Sequence, residues 1–194
     1  RRIDEAFFMQ TDAVKAVTLE GVDAVMTDVP KVCVSVSTAD CIPILIYDRV
    51  HHAVAAVHAG WRSTVLRIPE AVLQAMAGAY GTRPQDVEAA IGPGISLEAF
   101  EVGDEVYEAF RTTGFPMEEM ARRYPVAGDG SDRMEKWHLD LWQANRGLLE
   151  DCGVPSARIH LAGVCTYLHS ERFFSARRLG IRSGRILNGI FLTD

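Results

Sequence analysis

The sequence predicts a single domain of mixed α/β class, more closely α+β, over residues 1–194. Short apolar runs bounded by turn residues, which are typical of strands, precede the first convincing helical stretch, and the two patterns alternate afterwards. A chain of 194 residues is long enough to bury a core and has the usual size of one domain. No internal repeat, low-complexity tract or linker divides it.

The first predicted strands are short. Phe7–Met9 has the apolar character of a strand, Thr11–Val17 alternates weakly, and Gly21–Thr27 predicts a short strand or a turn. The strongest early pattern is Val32–Ser37, in which β-branched residues alternate with smaller or polar ones. Several strands are therefore expected before any helix.

A predicted β-hairpin follows and is the centre of the chain. The apolar runs Ile42–Tyr47 and Ala53–Val57 have the length of buried strands, and the polar turn Asp48–His52 separates them. Such a hairpin brings Cys41, just before its first strand, close to His58, just after its second. A thiol beside an imidazole is the start of a metal site or of a nucleophile–base pair.

The first helix is predicted after the hairpin, with Ser63 or Thr64 as its N-cap. Apolar residues recur at helical spacing, and two glycines mark its end. A capped helix start offers free backbone N–H groups to an anion such as phosphate, although the same residues also suit a simple loop-to-helix cap. The residues of this pattern are Ile68, Val72, Leu73, Met76, Gly78 and Gly81.

The second half of the chain alternates strands and helices. The predicted strands are Val87–Ile91, Arg158–Gly163, Phe173–Ser175 and Ile186–Leu192, and the predicted helices are Gly103–Phe110 and Leu139–Cys152. A glycine–proline turn, Gly92–Ser96, can admit a ligand close to the backbone or serve the turn alone. Thr112–Arg133 is predicted as a surface excursion with one short helix near residues 117–123.

Composition restricts the partners. Acidic residues outnumber basic ones, 26 to 20, and no basic run stands out, which argues against nucleic acid and against an anionic membrane surface. No apolar stretch is long enough to span a bilayer. The four cysteines form no CxxC pair, as expected for reduced thiols in a cytoplasmic protein. The sequence does not indicate an oligomeric state.

Cys41 and His58 are the candidate metal ligands and catalytic residues. Thiolate and imidazole suit Zn²⁺, and a catalytic zinc has three protein ligands and one open position. No third ligand is obvious: His51 and His52 lie at the far end of the hairpin. The alternative without a functional role is that Cys41 is a small core residue and His58 is a structural histidine. The remaining histidines, which stay open as ligands, are His138, His160 and His169.

Two charged residues near this pair, Arg62 and Asp40, could have either a functional or a structural role. Arg62 carries a planar, permanently charged group that suits phosphate or carboxylate, although a surface arginine is usually only solvated. Asp40 precedes Cys41 and is interpreted as a turn former in preference to a group that contacts metal or substrate.

Several motifs in the same order resemble the laccase-domain family, also called YfiH-like or polyphenol-oxidase family proteins. The resemblance covers the chain from about Gln10 to its C-terminus. It implies a layered β-sheet sandwich flanked by helices, related to a bacterial toxin deamidase. The matching motifs are Thr38–Pro43, Val57–Arg62, Ile91–Pro93, Phe100–Gly103, His138–Trp142, Cys165–Tyr167 and Arg172–Arg178.

The resemblance implies a zinc-dependent purine nucleoside phosphorylase. Its expected partners are phosphate and the nucleosides adenosine, inosine, guanosine and methylthioadenosine, with adenosine deamination as a second activity. Older descriptions of the family give a copper-dependent laccase, and some bacterial members are tied to peptidoglycan editing. The family's metal site has two histidines and one cysteine, which carry over here only as Cys41 and His58. Copper is the less favoured metal, because six scattered histidines are a poor match to a multicopper site.

The first histidine of that metal site has no counterpart here. The family has a Gln-x-His segment, whereas Gln10 runs directly into Thr11 and Asp12, and no histidine precedes His51. We expect that a loop near Gln10 and an N-terminal portion are missing, in preference to loss of the ligand. Gln10 and Thr11 are then expected not to be joined at peptide-bond distance.

Two other interpretations remain at this point. In a metal-free hydrolase or deamidase, Cys41 would be the nucleophile and His58 its base. In a non-catalytic module, the same two residues would hold a structural metal or none.

Overall fold

The structure, a computed structural model, describes residues 21–125 and 135–193. The predictions for residues 7–9 and 11–17, and for the junction of Gln10 with Thr11, lie outside the described residues. The described part is a mixed α/β fold, as predicted. Its strands are β1 (Ala24–Thr27), β2 (Val34–Thr38), β3 (Ile42–Asp48), β4 (Ala53–Ala59), β5 (Val87–Ile91), β6 (Glu101–Val102), β7 (Ala121–Pro125), β8 (Glu135–Leu139), β9 (Ile159–Leu161) and β10 (Ile186–Ile190). Its helices are α1 (Trp61–Val65), α2 (Ile68–Tyr80), α3 (Asp104–Thr112), α4 (Met117–Met120), α5 (Leu141–Asp151) and α6 (Ala176–Leu179).

A five-stranded sheet with the order β1-β4-β3-β5-β9 forms the centre of the fold. The predicted hairpin is confirmed as β3 and β4, which lie in the middle of this sheet and pair antiparallel from Ile42 with Ala59 to Asp48 with Ala53. Both faces of β4 are covered, which explains why its apolar run is continuous instead of alternating. Strands β5 and β9 pair in parallel.

The central sheet is the middle layer of a sandwich, as predicted. Helices α2 and α5 cover one face, where Met76 and Leu148 join a large buried cluster with the strands. The antiparallel pair β2–β10 covers the other face, where Val34 and Val36 pack against Val54. A small antiparallel sheet with the order β6-β8-β7 completes the fold. Within residues 21–125 and 135–193, none of the helices combines the length and apolar character needed to cross a bilayer.

The helix predicted after the hairpin is in fact two helices, α1 and α2. The break falls at Arg67, whose backbone is left-handed with φ 57°, and α2 has a proline in its first turn, where proline is tolerated. The predicted caps are wrong: Gly60 is the N-cap of α1, and its N–H donates to Ser63 Oγ at 3.1 Å. Gly81, with φ 75°, ends α2 as predicted, whereas Gly78 lies inside the helix.

Three predicted elements in the second half need correction. The short helix expected near residues 117–123 ends at Met120, and the chain continues at once as strand β7. The expected helix Leu139–Cys152 begins only at Leu141, because Leu139 ends β8 and the Asp140 side chain caps α5 by accepting the Gln143 N–H. Phe173–Ser175 is not a strand: Ser175 Oγ caps α6 by accepting the Arg178 N–H at 3.1 Å.

Candidate functional site

The end of the central hairpin brings Cys41 and His58 together, as the sequence predicts. Pro43 pairs with His58 in the β3–β4 ladder, so Cys41 lies just beyond the paired residues. Gly60 marks the point where the two side chains converge: a Cβ there would be 3.2 Å from Cys41 Sγ and 3.7 Å from His58 Cε1. Glycine at position 60 therefore leaves the space between thiol and imidazole open.

His58 is held from its other side by Asp23, a residue that the sequence analysis missed. His58 Nδ1 lies 3.0 Å from Asp23 Oδ1, and the His58 backbone N–H donates to Asp23 O at 2.7 Å. The interaction with the Cys41 side chain is the largest cause that raises the pKa of His58 to about 9; burial opposes it, and the Asp23 hydrogen bond adds to it. The imidazole is thus coupled to a thiol and to a carboxylate.

Asp40 connects the start of β3 to the C-terminal part of the chain. Its backbone is left-handed, with φ 84°, and its side chain is buried. One carboxylate oxygen accepts a hydrogen bond from Thr166 Oγ1, and the other accepts one from the Arg177 N–H, both at 2.7 Å. Asp40 is therefore an anchor beside Cys41, in agreement with its interpretation as a turn former. Thr166 and Arg177 belong to motifs noticed in the sequence, but nothing there paired them with Asp40.

Gly92 and Gly94 serve close packing against β3. A Cβ at Gly92 would lie 2.8 Å from Pro43 Cγ, and one at Gly94 would clash with Ile42 Cδ1. The sequence analysis allowed ligand approach or the turn alone for this segment, and the described contacts add a third role, close packing against the neighbouring strand. These glycines let the turn approach the start of β3, directly after Cys41.

Arg62 is exposed on the short helix α1, next to the site. Its guanidinium carbon lies 4.2 Å above the ring centroid of Trp61, a cation–π contact that orients the side chain. Among residues 21–125 and 135–193, no carboxylate forms an ion pair with it. The guanidinium is therefore available to an anionic ligand, and its role in phosphate binding stays a prediction.

The other histidines are engaged elsewhere. His51 Nδ1 lies 2.9 Å from Asp48 Oδ2 at the far end of the hairpin, as predicted. His52 Nδ1 lies 3.4 Å from Tyr47 Oη at the same turn. One ring nitrogen of each histidine that the sequence left open has a partner outside the site: His138 Nδ1 lies 3.0 Å from Leu97 O, His160 Nε2 2.7 Å from Glu88 Oε1, and His169 Nδ1 3.5 Å from Glu171 Oε1. None of them supplies the third ligand that the sequence left open.

The donor types fit zinc, but their number does not complete a catalytic zinc site. Within the described ranges, no group of three or more His, Cys, Asp or Glu side chains is placed to hold a metal ion. Cys41 and His58 are two of the three protein donors that such a site uses. The described histidines are also too dispersed for a multicopper arrangement.

Together, these features define a layered α/β protein with a cysteine–histidine site at one end of its central hairpin. The profile of the family described as multi-copper polyphenol oxidoreductase laccase matches residues 4–193. The chain belongs to this family, which confirms the resemblance seen in its motifs.

Named relatives and solved structures agree with that assignment. The chain is 49% identical over 190 residues to a protein of Bacteroides thetaiotaomicron named purine nucleoside phosphorylase, covering 98% of this chain and 68% of the relative. It is 43% identical over 189 residues to adenosine deaminase RL5 of an unknown prokaryotic organism, covering 97% and 69%. The crystal structure of the hypothetical protein YfiH of Bacillus licheniformis superposes with a TM-score of 0.78 at 31% identity, covering 88% of this chain and 61% of that one. The chain thus spans between three fifths and seven tenths of these proteins.

Proposed function

We propose that the protein is a purine nucleoside phosphorylase that acts on adenosine, inosine, guanosine and methylthioadenosine, with adenosine deamination as a second activity. The observation that carries the proposal is the convergence of Cys41 and His58 on Gly60 at the end of the central hairpin. The names of the relatives that match nearly the whole chain support it.

In phosphorolysis, an oxygen of phosphate forms a bond to the anomeric carbon of the ribose while the bond from that carbon to the purine nitrogen breaks. The products are ribose 1-phosphate and the free base, which takes up a proton. Arg62 is the residue proposed to bind the phosphate, and its exposed guanidinium, stacked on Trp61, supports this role because such a planar group binds phosphate oxygens in pairs. The proposed role of Arg62 is to hold the anion close to the Cys41–His58 pair.

We further propose that Cys41 and His58 are two ligands of a zinc ion, with copper as the less favoured metal. The described residues supply no third donor, so no catalytic step is assigned to the ion. Elemental mass spectrometry of the purified chain beside Cys41→Ser tests the ligands. About one zinc per chain that is lost in the variant supports the site. An equal metal content in both proteins contradicts it.

The activity itself is tested by incubation with each nucleoside and phosphate, followed by chromatography for the free base. Free base that depends on added phosphate, and that falls to background in Cys41→Ala, is the expected result. Cys33→Ala is the matched control, because Cys33 is exposed on another part of the chain and its loss should leave the rate unchanged. Base formation no higher in the wild type than in Cys41→Ala would refute the proposal.

A second candidate, a metal-free hydrolase or deamidase, is favoured by one observation. Asp23, His58 and Cys41 form a series of carboxylate, imidazole and thiol, the order in which a nucleophile is activated by an oriented base. Alkylation by iodoacetamide, followed by peptide mass spectrometry, separates the two candidates. Zinc should make Cys41 react more slowly than the exposed Cys33, whereas an activated free thiolate should react faster.

A further inference from the structure

Asp23 has a defined place beside the site although it is 35 positions away from His58 in sequence. Strands β1 and β4 pair antiparallel with Ala24 opposite Val57, so the next pair along the ladder is Asp23 with His58. The backbone hydrogen bond from His58 N–H to Asp23 O, at 2.7 Å, continues that register. The carboxylate therefore faces the imidazole because of the sheet itself.

The contact with Asp23 decides which ring nitrogen of His58 is left for another partner. Nδ1 is occupied by Asp23 Oδ1 at 3.0 Å, so Nε2 remains, and the adjacent ring carbon Cε1 and Cys41 Sγ both lie close to Gly60. A carboxylate that accepts Nδ1–H fixes both the tautomer and the ring orientation of a histidine whose other nitrogen binds a metal.

We infer that Asp23 is a positioning residue that holds His58 with Nε2 directed towards Cys41, so that the two donors are arranged for a metal ion. This inference rests on the proposed zinc site. It assigns no catalytic contact to Asp23, which acts only through His58.

The exposure of the pair separates this role from a purely structural one. The Asp23 side chain is 52% exposed and that of His58 30% exposed. Carboxylate–cation pairs with this much exposure contribute little to the stability of a fold. Removal of the Asp23 carboxylate should therefore leave the unfolding transition almost unchanged while it weakens metal binding.

The test is the affinity of the 194-residue chain for Zn²⁺ alone, measured by competition with a chromophoric chelator. We expect Asp23→Ala to bind zinc about 10–100-fold more weakly than the wild type, the usual cost of losing such a partner. Asp23→Asn should recover most of the affinity, because its amide oxygen still accepts Nδ1–H. Glu88→Ala is the matched control: it removes a carboxylate–imidazole contact of 2.7 Å to His160, away from the site, and should not change the affinity.

The outcomes distinguish the positioning role of Asp23 from the zinc site on which it rests. Equal zinc affinity in the wild type and in Asp23→Ala overturns the role of Asp23 and leaves the zinc site intact. Failure of the wild-type chain to bind zinc overturns the zinc site and the inference together. An Asp23→Ala variant with a clearly weakened fold shows a structural role instead, and circular dichroism during urea unfolding would detect it.

Discussion

The residues around Cys41 differ in whether their roles could be predicted from the sequence. The functional residue types, a cysteine and a histidine on one hairpin, could be predicted because the hairpin is local in sequence. Asp23 and Thr166 could not, since their contacts with His58 and Asp40 span 35 and 126 positions. Such contacts depend on the register of the sheet and on the path of the C-terminal segment, which residue patterns do not encode.

The anchoring role of Asp40 leads to a prediction about stability. Asp40→Ala removes the acceptor of the Thr166 hydroxyl, which is buried, and of the Arg177 N–H. Each hydrogen bond to a charged group contributes roughly 1.5–3 kcal/mol, so the loss of both should lower the free energy of unfolding by about 3–6 kcal/mol. The left-handed backbone at φ 84° adds strain of the same sign for alanine.

Urea unfolding followed by tryptophan fluorescence measures this loss. Asp40→Asn should lose less, because asparagine tolerates the left-handed backbone and keeps one acceptor oxygen. Glu98→Ala, on an exposed position, is the control and should change little. A midpoint for Asp40→Ala equal to that of the wild type would show that the anchor contributes nothing.

At the scale of elements, the strands with strong local patterns were predictable and the weak ones were not. Strands β3 and β4 are mostly buried and apolar, and the covered faces of the central sheet explain their continuous apolar runs. Strand β6 has only two residues, which is too short for a hydrophobic periodicity in the sequence, and it forms by pairing with β8. The strand predicted at Phe174 is wrong. Its aromatic ring packs beside Gly184, in a turn segment, and the residue does not pair with a neighbouring strand.

A buried polar contact between α1 and α5 gives a prediction at this scale. Asn145 Nδ2 donates to Thr64 Oγ1 at 3.1 Å and to Leu141 O at 2.8 Å, and the side chains of Thr64 and Asn145 are fully buried. Thr64→Val keeps the shape but leaves the amide without one acceptor, which should cost about 1–3 kcal/mol of unfolding free energy. Because α1 carries Arg62, the proposed phosphate-binding residue, the same variant should also raise the KM for phosphate in the proposed phosphorolysis.

A double-mutant cycle with Asn145→Leu isolates the contact. The double variant should lose less stability than the two single losses added together, since the second substitution removes a group that the first has already left unpaired. Strict additivity would mean that the two side chains do not stabilise each other. Thr112→Val, at an exposed helix end, is a comparison in which no such loss is expected.

At the scale of the whole molecule, the layered fold follows from the same patterns that predicted its parts. The hairpin contributes the middle layer, the helical stretches cover one face, and Val32–Ser37 with Ile186–Leu192 approximates the β2–β10 layer on the other. The positions of the layers place the Cys41–His58 pair at one end of the central hairpin and the turn that begins at Asp48 at the other. The two ends of the hairpin therefore carry different titratable groups.

At the turn end of the hairpin, Asp48 makes the stability of the fold sensitive to acid. Burial raises the pKa of this carboxyl, but the Thr82 side chain, the His51 and Val50 N–H groups and the His51 ring together bring the pKa below its usual value of 3.8. A carboxyl with a lowered pKa in the folded state contributes stability that is present above its unfolded pKa. That contribution is lost as the pH falls through the folded value.

We therefore expect the stability gap between the wild type and Asp48→Asn to be large near neutral pH and to shrink as the pH falls below 3.8. Urea unfolding of both proteins at a series of pH values measures the gap. Glu108→Gln, which removes a surface pair with Arg111, serves as the control and should give a small gap throughout, because exposed pairs contribute little. A gap between the wild type and Asp48→Asn that stays constant with pH would show that the Asp48 carboxylate, in its charged form, does not hold the turn. A gap that shrinks as expected would show that the charged Asp48 carboxylate stabilises the fold from the end of the hairpin opposite the Cys41–His58 pair.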